Sequence, residues 1–508
     1  MSTKNTSTKK SVGFGSSLGF VLASAGSAVG LGNIWGFPYK TGANGGAAFV
    51  LVYIVMALLL GIAGMVAEMY VGKRAKANPV TALKKISPKL GWVGLVSVIV
   101  PFVIICYYSV LGGYTLRGVV SSLTDIGKTS SDVTGAFATF IQNPWLPSLC
   151  TLLFLGVAVF IIMGGVQKGI EKASKVLMPL LFFILLGVMI YSLCLGDGVK
   201  AGLDFYILKA DFKALGFKGV AAAMGQVFFS MSLGMGIMIT YGSYAGKEIN
   251  LFKSAVQISL IDTLIALMAG FTIFPAAFHF METAGLEAAE VGLGGFALMF
   301  QTLPLVFNSL GTVGGIMGSF FFLMVAIAAV TSVVSLVEVV TQFFIQKYKI
   351  DRKLAAIAPM TVVMLFSIFV ALSLGGRFTV FDFDLLTFLD EITNTVMMPV
   401  CALLVCLAAG YGIKRREMEE NIVPSTPMIG RLISFMTRFI TPLLILVVAL
   451  FGVISQVSES TTYVSVIITA FLIAVATVAA YFLFFANRDT GCNADELTAG
   501  KKNLSEEE

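Results

Sequence analysis

The sequence predicts an all-α membrane protein of about twelve transmembrane helices, built as a five-plus-five inverted repeat with broken helices 1 and 6. Three observations predict it. Of 508 residues, 57% are hydrophobic and 12% are charged, where a soluble domain carries roughly 25% charged residues. About twelve apolar segments reach the roughly 20 residues that a bilayer crossing needs. Two of these are interrupted, by Gly26-Ser27-Ala28-Val29-Gly30-Leu31-Gly32-Asn33 and by Phe229-Ser230-Met231-Ser232-Leu233-Gly234-Met235-Gly236. A bilayer offers no water to free N–H and C=O groups, so a spanning helix breaks only where the freed groups meet a ligand or ion. Carbonyls and helix C-terminal ends suit cations, and N-terminal ends suit anions. Paired breaks therefore point to a transporter with a substrate and cation site near the midplane.

The spans are expected at 15–38, 47–72, 92–123, 146–164, 171–194, 219–245, 252–280, 312–347, 354–374, 385–412, 430–454 and 463–486. Spans one to five and six to ten form two halves, each opening with a broken helix. An odd number of spans per half gives the halves opposite topology. The domain plan is a cytoplasmic tail at 1–12, a ten-helix transport core at 13–412, peripheral helices 11 and 12 at 413–487, and a cytoplasmic tail at 488–508. The segment from Glu282 to Ala297 is expected to form a re-entrant extracellular hairpin.

The net charge of +6 reflects membrane topology rather than a nucleic-acid surface. Lys4, Lys9 and Lys10 precede the first span, and Lys73, Arg74, Lys76, Lys84, Lys85 and Lys89 follow the second. Lys168, Lys172 and Lys175 follow the fourth, Lys347, Lys349, Arg352 and Lys353 the eighth, and Lys414, Arg415 and Arg416 the tenth. All fall on the cytoplasmic side if both termini are cytoplasmic. Lys200, Lys209, Lys213 and Lys218, before the sixth span, run against this trend. The first apolar stretch is long and glycine-broken, so it reads as a span rather than a cleavable signal. The six cysteines lack metal-ligand spacing, and the lone His279 reads as interfacial. With no His-rich cluster, no paired carboxylates near a nucleophile and no phosphate loop, an enzyme is disfavoured.

Gly30-Leu31-Gly32-Asn33-Ile34-Trp35-Gly36-Phe37-Pro38, with Asn44-Gly45-Gly46 and Phe49, resembles the first-helix motif of the neurotransmitter:sodium symporter family. Gln226-Val227-Phe228-Phe229-Ser230-Met231-Ser232-Leu233-Gly234, Tyr241-Gly242-Ser243-Tyr244 and Gly165-Val166-Gln167-Lys168-Gly169-Ile170-Glu171-Lys172 resemble its later motifs. The resemblance runs from about Gly13 to Phe484 and points to the bacterial amino acid transporter branch. It implies two sodium sites, one using Ala28, Asn33, Ser230 and Asp262, the other Gly26, Val29, Ala328, Thr331 and Ser332. Taken alone, Thr331 and Ser332 are also ordinary helix-packing hydroxyls.

Asp262 is a carboxylate inside an apolar span, which is costly and usually functional. Many animal relatives of this family hold chloride beside the first sodium, with Asn at the Asp262 position and Ser where this chain has Ala266. The resemblance therefore implies that Asp262 supplies the negative charge and that chloride is not required. Glu68 resembles a residue that supports the broken sixth helix. Glu338 lies nearer the cytoplasm and is read as structural or as part of the inner pathway.

Monoamine carriers of the family have Asp where this chain has Gly30. Glycine leaves room for a substrate carboxylate, met by the amides of Leu31 and Gly32 and by the Tyr108 hydroxyl. Ile104, Tyr108, Phe229, Ser232, Met235, Ser332 and Leu336 would line the side-chain pocket, with Ser27, Ala28 and Ser230 completing the set. The lining is mostly apolar and Met235 is adaptable, which favours a hydrophobic or aromatic amino acid.

Tyr108 and Phe229 match the family's aromatic lid. Relatives pair an Arg in the first helix with an Asp in the tenth. Here Asp390 is present, but Gly36 stands at the Arg position. The inner pair falls on Ser11 and Gln346, for which Lys9 or Lys10 with Asp351 is one substitute. By resemblance, the spacing of Gly169 and Pro179 implies that the fifth helix unwinds locally toward the second sodium site; an ordinary proline kink is the alternative. The expected function is sodium-coupled import of a neutral amino acid, by a monomer or weak homodimer in the bacterial cytoplasmic membrane. A chloride-dependent osmolyte or neurotransmitter carrier, and a sodium-gated sensor or channel, remain alternatives.

Overall fold

The computed structural model describes residues 13–285, 298–380, 383–423 and 426–447. Span twelve, both tails and most of the expected hairpin after Glu282 lie outside the described residues.

The first span is two helices, Ser17–Ala28 and Gly32–Ala43, bent by 50°. Ala47–Ala75, Pro88–Thr124, Leu146–Met163 and Val166–Leu193 follow as spans two to five. The sixth is again divided, into Phe212–Ser230 and Ile237–Tyr244. Leu251–Ala284, Gly311–Tyr348 and Arg352–Leu374 are spans seven to nine, and Pro427–Val447 is the eleventh. The tenth runs from Leu385–Ile392 through a widened turn, Thr393–Met397, into Met398–Gly412. Among the described residues no strand is present. Ser130–Gln142, between spans three and four, is a helix not expected from the sequence, started by a Thr129–Asp132 capping box.

Burial tells the spans apart. The eighth is 89% buried over its most apolar window and the fifth only 28%, so the eighth runs through the bundle and the fifth faces lipid. Phe160 and Phe183 are 77% and 67% exposed, which suits acyl chains and would be costly in water. Inside, small residues bring backbones together. A Cβ on Gly72 would lie 1.9 Å from the Ile239 carbonyl oxygen, and one on Gly242 2.3 Å from that of Met69. This reciprocal pair seats the second half of the sixth span on the second span.

The basic loops gather at one end of the bundle. Lys73 Nζ donates to the Ile249 carbonyl, Arg74 pairs with Glu417, Asn78 with Gln346, and Arg352 Nε donates to the Ile162 carbonyl. The chain start joins them, with Gly15 N donating to Glu171 at 2.7 Å. At the other end, Asp211 N donates to the Gly45 carbonyl and His279 contacts the Asp197 carbonyl.

Candidate functional site

The two breaks meet at the centre of the bundle. After Ala28 the first helix stops, because Val29 turns to an extended ψ of 107°. The sixth stops at Ser230, where Ser232 (φ +55°), Gly234 (φ +74°) and Gly236 (φ +67°) take left-handed backbone conformations. Glycine adopts these without strain, whereas Ser232 does so against its Cβ. Glu68 Oε1 accepts the freed Gly234 amide at 2.8 Å. A Cβ on Gly234 would stand 2.2 Å from the Met398 carbonyl oxygen.

Between the breaks lies a small cavity lined by Ser27, Ala28, Gly30, Gly32, Ile104, Tyr108, Phe229, Ser232, Met235, Ile237, Ser332 and Leu336. Leu31, expected to present its amide beside Tyr108, donates it to Tyr108 Oη at 2.9 Å; Ser230, expected at both the cavity and the first ion site, turns to Asp262 and does not line the cavity. Ile237 is a wall residue that sequence reasoning missed; it begins the second half of the broken sixth helix. The floor is a group of hydroxyls. Ser27 Oγ lies 3.1 Å from Ser232 Oγ and 2.7 Å from Ser335 Oγ, while Ser232 and Ser332 donate to the Ser27 carbonyl.

Gly30 has no room for a side chain. A Cβ there would lie 2.5 Å from Ser332 Oγ and 2.6 Å from Tyr108 Oη. Gly30→Ala is therefore expected to push Tyr108 off Leu31 and to cut substrate affinity by about 10²-fold or more. Cost from overpacking a tight site is about 1–3 kcal/mol, to which the lost hydrogen bond adds. Equilibrium binding of a labelled aromatic amino acid, the class the sequence leads one to expect, checks this, and an unchanged affinity would contradict it.

Beside the cavity, Asp262 is completely buried and ringed by neutral donors. Ser230 Oγ donates at 2.7 Å, Asn33 Nδ2 at 2.8 Å and Tyr53 Oη at 3.2 Å. Asn33 Oδ1 accepts the Gly30 amide at 3.1 Å, which ties this cluster to the break. On the other side of the break, Ser332 Oγ reaches the Val29 carbonyl at 3.2 Å. Thr331 Oγ1 reaches the Ala328 carbonyl at 3.0 Å. A Cβ on Gly26 would stand 3.4 Å from Thr331 Cβ and 3.3 Å from the Met178 sulfur. Gly26, Val29, Ala328, Thr331 and Ser332 thus share one junction, with the residue before Pro179 packed on it. Two oxygen-rich clusters flank the cavity. Among the described residues no group of His, Cys, Asp and Glu resembles a transition-metal site.

The closing elements surround this centre. Tyr108 and Phe229 rings lie 6.4 Å apart between centroids. On the outer side Asp390 accepts Asn394 Nδ2 at 2.7 Å, and Lys40 Nζ donates to Gln226 Oε1 at 3.0 Å. On the inner side the buried Glu338 carboxylate pairs with Arg352 and accepts Tyr244 Oη at 2.6 Å. Gln346 accepts from Asn78 N and Nδ2 at 2.9 and 2.8 Å. Asp351 caps the ninth span through the amides of Lys353 and Leu354. Its pairing with Lys9 or Lys10, and the role of Ser11, fall on residues outside those described. The fifth span is helical through Gly169 and Pro179, and Glu171 holds Gly15 N, Ser16 Oγ and Lys175 Nζ.

This geometry can be set beside known proteins. Residues 12–132 and 138–486 match the model of the sodium:neurotransmitter symporter family. The uncharacterized sodium-dependent transporter YhdH of Bacillus subtilis is 35% identical over 458 residues, spanning 87% of this chain and 98% of that one. The human sodium- and chloride-dependent GABA transporter 2 is 24% identical over 486 residues, 86% of this chain and 79% of the relative. A crystal structure of MhsT in complex with L-phenylalanine superposes with a TM-score of 0.79 at 39% identity, covering 87% of this chain and 99% of that chain. The protein is a multi-pass, sodium-coupled membrane transporter and not an enzyme. A family model matched along nearly the whole length, with a relative and a solved structure each similar over 87% of the chain, places this protein in the sodium:neurotransmitter symporter family.

Proposed function

We propose that the protein imports a neutral amino acid with an apolar or aromatic side chain, driven by sodium and without chloride, by alternating access. The observation that carries this reading is the cavity itself, where a side-chain-free Gly30 sits beside Tyr108, facing a wall of Ile104, Met235, Ile237 and Leu336. A zwitterion fits these two faces. Its carboxylate would dock at the start of Gly32–Ala43, where the helix dipole is positive, and accept a hydrogen bond from the Tyr108 hydroxyl. Its ammonium would meet hydroxyl and carbonyl oxygens around Ser27 and Ser232. MhsT, crystallised with L-phenylalanine, supports the substrate class.

Sodium is cargo here. One ion would sit with Ala28, Asn33, Ser230 and Asp262, and a second with Gly26, Val29, Ala328, Thr331 and Ser332. If the substrate carboxylate shares the first ion, each ligand strengthens the other's binding. Two charges entering with a zwitterion would gain about 4–5 kcal/mol per 100 mV, enough for roughly 10³-fold accumulation. The Asp262 charge, and the fully buried Ala266 with no hydroxyl, support independence from chloride. The gathering of basic loops at the end where the chain starts supports cytoplasmic termini in a bacterial inner membrane.

Proteoliposomes test the proposal. An inward sodium gradient should drive labelled L-phenylalanine uptake that saturates and persists when gluconate replaces chloride. Uptake that needs chloride would favour an animal-type carrier, and binding without accumulation would favour a sensor.

A further inference from the structure

The hydroxyls on the floor of the cavity have protons whose directions follow from their partners. A serine hydroxyl has one proton to donate and two lone pairs to accept with, whereas a carbonyl only accepts. Ser232 Oγ donates to the Ser27 carbonyl at 3.0 Å. Ser332 Oγ donates toward the carbonyls of Ser27 and Val29, both at 3.2 Å. Neither keeps a proton for the cavity.

The direction of the Ser27 proton is set by a residue behind the wall. Ser335 is fully buried and does not line the cavity. It lies three positions after Ser332 on the eighth span. In a helix a serine hydroxyl can bond back to a carbonyl of the preceding turn, and Ser335 Oγ donates to the Ser332 carbonyl at 2.7 Å. Its one proton is thereby engaged. In the 2.7 Å contact with Ser27 Oγ, Ser335 is therefore the acceptor and Ser27 the donor. Ser27 Oγ and Ser232 Oγ, 3.1 Å apart on the cavity floor, then face each other with lone pairs and no proton between them. A donor arriving from the cavity satisfies both.

The opposite side of the cavity has the reverse polarity. Tyr108 Oη already accepts the Leu31 amide at 2.9 Å, which leaves its own proton to donate. An ammonium brings three donors and no acceptor, so it matches the floor. A hydroxyl in its place would bring lone pairs against lone pairs, and an unmatched buried polar group is costly.

We propose that Ser335 holds the Ser27 proton away from the cavity and so makes the floor at Ser27 and Ser232 an acceptor-only site, which selects an α-amino acid over the corresponding α-hydroxy acid. The inference rests on the amino acid reading above and deepens it. Ser335 is a positioning residue, because it acts through Ser27.

Competition by unlabelled L-phenylalanine and L-phenyllactate against tritiated L-phenylalanine, on purified protein in sodium, tests it. The ratio of the two affinities is the readout, since a general loosening of the site weakens both ligands together. The parent should prefer phenylalanine by about 10²-fold or more. Ser335→Ala frees the Ser27 hydroxyl to donate, and should narrow the preference about tenfold. Ser335→Thr keeps the acceptor and should hold the ratio within about threefold of the parent's, whatever it does to absolute affinity. Adding Ser335→Ala to Ser27→Ala should leave the ratio of the Ser27 single variant unchanged. If Ser335→Ala does not fold, Ser335→Cys, with a weakly accepting thiol, should narrow the ratio in the same direction. A Ser335→Ala ratio equal to the parent's, or effects that multiply in the double variant, would overturn the proposal. A parent that binds both ligands equally would overturn it too. A parent that binds neither in sodium would instead reject the transport reading.

Discussion

Asp262→Asn is expected to weaken sodium binding by about 10²- to 10³-fold in chloride-free buffer. The Asp262 carboxylate has no exposed surface, and its hydrogen-bond partners Ser230, Asn33 and Tyr53 are all neutral. Neutral donors stabilise a charge without balancing it, and a buried unpaired charge is costly. A sodium ion alongside supplies the balance. At about 4 Å and an effective dielectric near 20, one unit charge contributes roughly 4 kcal/mol, close to a thousandfold in affinity at about 1.4 kcal/mol per decade. Asparagine keeps the size of the side chain and still accepts from Ser230, so the loss reports charge rather than shape. A diffusible anion should recover part of it. Chloride is expected to shift the sodium midpoint of Asp262→Asn back toward the parent value, and more so when Ala266→Ser adds a hydroxyl one turn away. Sodium titrations of labelled phenylalanine binding, in chloride and in gluconate, check both statements. A variant with the parent's sodium midpoint would remove Asp262 from the ion site.

The breaks in the first and sixth helices were legible because glycines and small polar residues cluster there within an apolar run, more densely than helix packing alone calls for. Tyr108, Phe229 and Ser332 were placed by the family resemblance, and all three line the cavity. Lys40 was harder to read. Helical spacing puts it on the same face as Gly36, but a lysine near a span end commonly extends toward water. Only the placement of Gln226, 186 residues away, shows that it turns inward. Ser230 turns away from the cavity although Phe229 beside it lines the wall, since the rotation of an unwound segment cannot be counted from periodicity. The Ser130–Gln142 helix was readable from Thr129 and Asp132, but a loop between two spans draws attention to length rather than to caps.

Arg352 shows why a loop charge can carry more than topology. From the sequence it belongs to the cytoplasmic basic set. In the structure the chain turns at Lys349, with φ +55°, and Arg352 meets Glu338, whose side chain has 0% exposure against 21% for the arginine. Its Nε also donates to the Ile162 carbonyl at 2.7 Å, so one guanidinium ties the fourth, eighth and ninth spans. Tyr244 adds the sixth. Arg352→Gln should therefore be among the most destabilising single changes in the protein. It strands a carboxylate among apolar side chains, a loss of about 3–5 kcal/mol. Glu338→Gln should cost less, because the partly exposed arginine retains water and the Ile162 carbonyl. The double variant, Glu338→Gln with Arg352→Gln, should recover most of the lost thermal stability, since no buried charge is left unpaired. Its transport should not recover to the same degree. The ion pair holds the second half of the sixth span, through Tyr244, against the eighth and ninth, and without it the inner mouth is held by weaker bonds. The expected signature is a melting temperature near the parent's together with faster release of labelled phenylalanine from the cytoplasmic face. Thermal unfolding in detergent and release from liposomes of known orientation give the two readouts. If the single effects on stability simply add in the double variant, the pair is not the inner fastening that its geometry describes.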